Sequence, residues 1–158
     1  MSARVAAMPD MPDALIQMRR AGCATEPCPS YALSIFADGT VTYDGRANVA
    51  VLGQRRAKVS PAQVSGLISA IDAMHFLDSA ERCCVCPDGA ASRLVILDYR
   101  PGSAQKTVLH DEACPSAPPA IGALEQAIDR TTGAERWTQP ALAPGYAATS
   151  QPAAEVVR

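Results

Sequence analysis

The chain has 158 residues and a net charge of −2 with no basic block, which suits one domain and gives nucleic-acid binding little electrostatic support. Aromatic residues make up 4% of it, too few for a stacking platform on single strands. No apolar run approaches the roughly 18 residues of a membrane span, so no transmembrane segment is expected.

Residues 1–12 are Met-, Pro- and Ala-rich without period and are expected to be disordered. Met1 to Arg20 lacks the apolar core of a signal peptide. Six cysteines in so small a protein pull the other way, because disulfides persist in oxidising compartments. A periplasmic or secreted protein is expected if a leader is missing from this sequence, and a cytoplasmic one with reduced thiols otherwise.

Ala14 to Arg20 reads as a first strand, with Ile16 and Met18 facing opposite to Leu15, Gln17 and Arg19. Its apolar face is short, which places it at a sheet edge. Cys23 to Pro29 is a loop, and Asp38-Gly39 then marks a hairpin tip. A two-residue loop would mix apolar and polar residues on each face. A three-residue loop, Ala37-Asp38-Gly39 with Gly39 left-handed, gathers Tyr31, Leu33, Ile35, Val41 and Tyr43 on one face. The second register is favoured, since a one-residue slip would expose that set. Asp38 is then a turn residue rather than a site.

Arg55 to Val59 reads as a short strand. Ser60-Pro61-Ala62-Gln63 carries a capping box and a proline suited to the first helical turn. Val64, Leu67, Ile68, Ile71 and Met74 form the stripe of that helix, and Phe76 and Leu77 are expected to turn back onto the core. Arg93 to Tyr99 reads as a central strand, Pro101-Gly102 as a turn, and Gln105 to His110 as its antiparallel return. A helix follows Ser116 and runs to about Arg130, with Ile121, Leu124 and Ile128 inward, Gly133 as terminator and Trp137 beside it. From Gln139 the Ala/Pro/Ser composition reads as a flexible tail. The expected class is α+β: an antiparallel sheet of five to six strands, built from two hairpin-then-helix units with both helices on one face. The domain is expected over residues 13–137, with a tail over 138–158.

Cys28-Pro29-Ser30-Tyr31, the Asp38-Gly39 tip and Tyr43-Asp44-Gly45 resemble a bacterial family labelled only as a domain of unknown function. The helix from Ser60 to Leu77, Asp88, and Ile128-Asp129 followed by Trp137 match it as well. The resemblance covers roughly residues 14–137. It implies an exported or lipid-anchored bacterial protein and brings no activity, cofactor or catalytic residue. Two features depart from the family pattern: the spacer Ala24-Thr25-Glu26-Pro27 and the cluster Cys83-Cys84-Val85-Cys86.

Cys23, Cys28, Cys83, Cys84, Cys86 and Cys114 are the disulfide candidates, and six cysteines allow 15 pairings. Adjacent Cys83 and Cys84 are poor partners for each other. The working assignment is Cys23 with Cys28, and one bond from the 83–86 cluster to Cys114. The rival is a zinc site on Cys84, Cys86, His110 and Cys114, which lacks the paired Cys-x-x-Cys knuckles of ordinary zinc modules. A redox enzyme is not expected, because no βαβ thioredoxin pattern surrounds these cysteines.

His75, at the end of the first helix, reads as a cation complementing the carbonyl end. His110-Asp111-Glu112 reads as a solvated polar loop, and Asp88-Gly89 as a turn. Asp129 is paired in expectation with Arg130, Arg136 or nearby backbone. No phosphate loop, dinucleotide fingerprint or paired-histidine metal motif is present. No catalytic or cofactor-binding residue is assigned. The expectation is a non-enzymatic cell-envelope or secreted module that binds an unidentified protein partner, stabilised by disulfides. The alternative is a zinc- or redox-linked protein built on the Cys83 to Cys114 cysteines.

Overall fold

A computed structural model describes residues 11, 13–21, 28–78, 82–83, 93–112 and 118–139. Six strands form one open antiparallel sheet: β1 (Ile16–Arg20), β2 (Ser30–Ile35), β3 (Thr40–Ala47), β4 (Gly53–Lys58), β6 (Leu94–Tyr99) and β7 (Lys106–Asp111). Two-residue β5 (Arg82–Cys83) runs parallel to β7 at one margin, so the order is β4-β3-β2-β1-β6-β7-β5. Two main helices, α1 (Pro61–Ala73) and α2 (Pro119–Thr132), supply the covering layer, and a short α3 (Glu135–Thr138) follows. The protein is α+β.

The hairpin takes the three-residue loop. Ile35 pairs with Val41 and Leu33 with Tyr43, and Gly39 is left-handed with φ 89°. A Cβ at Gly39 would lie 2.3 Å from the Val59 carbonyl oxygen, so the turn demands glycine twice over, by dihedral and by space. Asp38 Oδ1 accepts the Thr40 N–H at 2.9 Å, the turn role assigned to it. Tyr31, Leu33, Ile35, Val41 and Tyr43 are all buried on the helix-facing side.

The capping box at Ser60 is complete, with Ser60 Oγ accepting from the Gln63 N–H and Gln63 Oε1 from the Ser60 N–H. Val64, Leu67 and Ile71 of α1 enter the same core as Ile121, Leu124 and Ile128 of α2. Phe76 joins them against Tyr99, but Leu77 is 41% exposed. The chain reverses at His75 (φ 54°) and a single 3₁₀ turn follows, so consecutive side chains diverge and only Phe76 reaches the sheet. Gly133 ends α2 in the left-handed conformation, as its position implied.

One placement is corrected. The first strand, expected at an edge, is the central strand: β1 pairs with β2 on one side and β6 on the other. Its polar face is no obstacle, because neighbouring strands supply partners. Gln17 Nε2 donates to Ser34 Oγ at 3.2 Å, and Arg19 Nη2 to Asp98 at 2.8 Å. Ile16 and Met18 meanwhile enter the core. The two hairpin-then-helix units are therefore stitched together by the strand that precedes both.

Candidate functional site

Strand register aligns a row of residues across the helix-facing side of the sheet. Tyr31 on β2 is opposite Arg20 on β1, Arg20 is opposite Val95 on β6, and Val95 is opposite His110 on β7. Period-two alternation puts these side chains on the face of Leu33, Met18, Leu97 and Val108, beneath the helices. Above the row, α2 presents Glu125 and Asp129, four residues apart and therefore neighbours on one helix face.

The two carboxylates hold the two ends of the row. Glu125 Oε2 lies 2.5 Å from His110 Nδ1, with both side chains almost fully buried. Asp129 accepts from Arg20 Nη2 at 2.9 Å through one oxygen and from the Tyr31 hydroxyl at 2.7 Å through the other. Arg20 Nε donates to the Tyr31 hydroxyl oxygen at 2.9 Å, and Arg20 Nη1 donates to Glu112. The guanidinium thus has a partner in three directions.

The electrostatics follow from burial and pairing. Burial opposes the charge on Arg20, but Tyr31, Asp129 and Glu112 reverse the balance and raise its pKa above the ordinary arginine value. Burial likewise pushes the Tyr31 hydroxyl up. The bond to Glu125 raises His110 above an ordinary imidazole, against the opposing pull of burial. Burial raises Glu125, opposed by the same bond. Such an arrangement is a lock: removing one partner strands a buried charge.

The expected roles of several polar residues change here. The polar run His110-Asp111-Glu112 suggests a solvated loop, yet His110 and Asp111 are the last residues of β7 and are 4% and 0% exposed. Strand alternation sends the three groups apart. His110 meets Glu125, Asp111 Oδ1 accepts the Arg93 N–H at 3.0 Å, and Glu112 meets Arg20. Asp129 pairs with neither Arg130 nor Arg136, because the turn of α2 aims it at β1 and β2. His75 is exposed, in the chain reversal that follows α1.

Among the cysteines, half-buried Cys28 borders a cavity of about 260 Å³ that Arg20, Tyr31, Glu112 and Asp129 also line. Asn48 Nδ2 donates to its carbonyl at 3.3 Å. The β5 pairing sets the Cys83 backbone opposite His110. Cys23, Cys84, Cys86 and Cys114 lie outside the described residues, as does Asp88. Arg20, Tyr31 and Glu125 carry this site, and no short-range sequence pattern marks them as polar partners. Glu125 does leave a trace there: it falls inside the stripe of Ile121, Leu124 and Ile128, where a lone carboxylate needs a buried partner.

Over β1 to β4 the opposite face of the sheet is largely polar. A cavity of about 550 Å³ lies over β2, β3 and β4, lined by Gln17, Ser34, Thr42, Asp44 and Arg56 among others. Asp44 is held by Arg46 at 2.8 Å. At the margin every residue of β4 is exposed except half-buried Ala57.

An open antiparallel sheet with helices on one side, locked by a carboxylate pair on the second helix, defines an α+β domain of the open-faced kind. The chain belongs to the family described as Domain of unknown function (DUF6438), whose model matches residues 14–132. No curated protein matches the sequence.

Proposed function

We propose that this protein is a non-catalytic binding module, exported or held in the cell envelope, that receives a protein partner along the β4 margin of its sheet. The observation that carries the reading is the state of that margin. Val59 N–H bonds to the Gly39 carbonyl, and Val41 pairs with Ala57 and Tyr43 with Arg55. The odd-numbered residues of β4 therefore turn their backbone groups toward β3, and Gln54, Arg56 and Lys58 turn theirs outward. A sheet edge of this kind can add a strand. Under α2 the polar side chains of the helix-covered row are bonded to one another, which suits a rigid support. In this reading Cys28 is one half of a disulfide, Cys23 is its partner, and a second bond joins the 83–86 cluster to Cys114. The test is a photo-cross-linker at Gln54 in native cells, with a control at exposed Asp72 on α1. A stoichiometric protein adduct specific to position 54 is expected; equal labelling from both positions would reject the edge as the binding surface. Intact mass with and without reductant checks the disulfides, and six alkylatable thiols without reductant would remove them.

One observation favours a second reading, a zinc site on Cys84, Cys86, His110 and Cys114. His110 is buried and its Nδ1 is tied to a carboxylate, and its Nε2 has no hydrogen-bond partner among the described residues. A carboxylate behind an imidazole is the usual support of a metal-binding histidine. Stoichiometric zinc in protein purified without chelator is expected on this reading, and its absence rejects it.

A further inference from the structure

We infer that the occupant of the β4 edge is an extended, acidic peptide segment carrying an apolar residue at one end; this rests on the edge-binding reading above. The strand reads Gly-Gln-Arg-Arg-Ala-Lys, with Arg55, Arg56 and Lys58 exposed. Neither Arg55 nor Arg56 has a carboxylate partner among the described residues: the only side-chain bond of Arg55 is to the neighbouring Gln54 carbonyl at 2.7 Å. Lys58 stands 3.9 Å from Asp38, with both side chains two-thirds exposed, a pair that solvent screens strongly. This basic strip sits on a chain whose net charge is −2. Leu52, immediately before the strand, is 63% exposed.

Cations on an edge strand ordinarily repel further strands, and here they repel a second copy of the same edge. An acidic strand is the class of partner for which that guard becomes an attraction. Residues of the added strand alternate sides, so carboxylates on one side would meet Arg56 and Lys58, and one on the other side would meet Arg55. The outward N–H and C=O groups of Arg56 and Lys58 supply the ladder. An apolar residue beyond the carboxylates would cover Leu52.

The test uses the full chain and four fluorescent peptides in an anisotropy titration: an extended peptide with Glu on both sides and a terminal Leu, the same peptide with Gln for Glu, and the acidic peptide N-methylated at alternate amides in each of the two registers. Saturable binding of the first is expected. The Gln peptide, or an Arg55→Gln/Arg56→Gln double variant, is expected to weaken it at least tenfold. Methylation on the ladder-forming register should abolish binding, and methylation on the other register should leave it intact. Equal binding of the Gln peptide overturns the acidic assignment. Binding that survives methylation on both registers overturns strand addition. A position-54 adduct whose cross-linked segment has no acidic residues overturns this inference while leaving the edge-binding reading standing. Lack of any adduct at position 54 removes both.

Discussion

The helix-covered row and the β4 margin of the sheet treat charge in opposite ways. Beneath α2, Arg20, Tyr31 and Asp129 bond to one another, as do His110 and Glu125. Along β4, Arg55 and Arg56 face water with no carboxylate opposite them among the described residues. The first arrangement costs desolvation and recovers it only through complete pairing, so it fixes where α2 sits on the sheet. The second costs nothing to maintain and keeps its capacity for a partner. The bonded network reaches from Tyr31 on β2 to His110 on β7, so β3 alone stands between the rigid part and the β4 edge.

The contrast is broken most directly at Glu125. Replacing Glu125 by Ala leaves His110 buried without its carboxylate, and urea denaturation is expected to show a loss of about 3–5 kcal/mol. Asp129→Asn keeps the shape but removes the charge facing Arg20, and a smaller loss of about 1–3 kcal/mol is expected in the same measurement. A third test uses pH. The pKa of His110 is raised in the folded protein, so the stability it contributes is full below about 6.5, the ordinary imidazole value. It is lost as pH rises through the folded value. Burial raises Glu125 as well, which acts in the same direction. Denaturation curves should therefore show stability declining on the alkaline side of that value, with Glu125→Gln flattening the slope. At the β4 margin, Arg56→Gln is expected to stay within about 0.5 kcal/mol of the parent in stability. A large destabilisation there would mean that the edge is structural after all.

Much of this architecture was legible in the sequence because it rests on local chemistry. The hairpin register followed from one apolar set that only one loop length keeps together, Tyr31, Leu33, Ile35, Val41 and Tyr43. The start of α1 followed from Ser60, Pro61 and Gln63, whose side chains act within one turn. The central position of β1 was not legible, because the partners of Gln17 and Arg19 are contributed by other strands: Ser34 and Asp98 lie 17 and 79 residues away. The bonds of Arg20 and Tyr31 to Asp129 span 109 and 98 residues, and no short-range pattern announces them. The buried end of β7 was hidden because His110-Asp111-Glu112 is as polar as a loop; only Glu125, set in an apolar helix stripe, hinted that something polar lay beneath it. The cysteine pairings stay with the proposal, as four of the six cysteines are outside the described residues.

The central placement of β1 has a consequence for synthesis. This strand leaves the ribosome before every other part of the sheet, yet one of its two flanks waits for β6, with Arg19 meeting Asp98 79 residues later. Until then β1, β2, β3 and β4 can assemble only a half-sheet whose β1 flank is bare and carries Ile16 and Met18 beside it. Pairings that span so much chain close slowly. The growing polypeptide therefore passes through a stage with two open margins, and at the β1 margin Arg19 and Arg20 wait for Asp98, Glu112 and Asp129. That margin, with Ile16 and Met18 still uncovered, is where a nascent chain of this protein would be expected to need a chaperone.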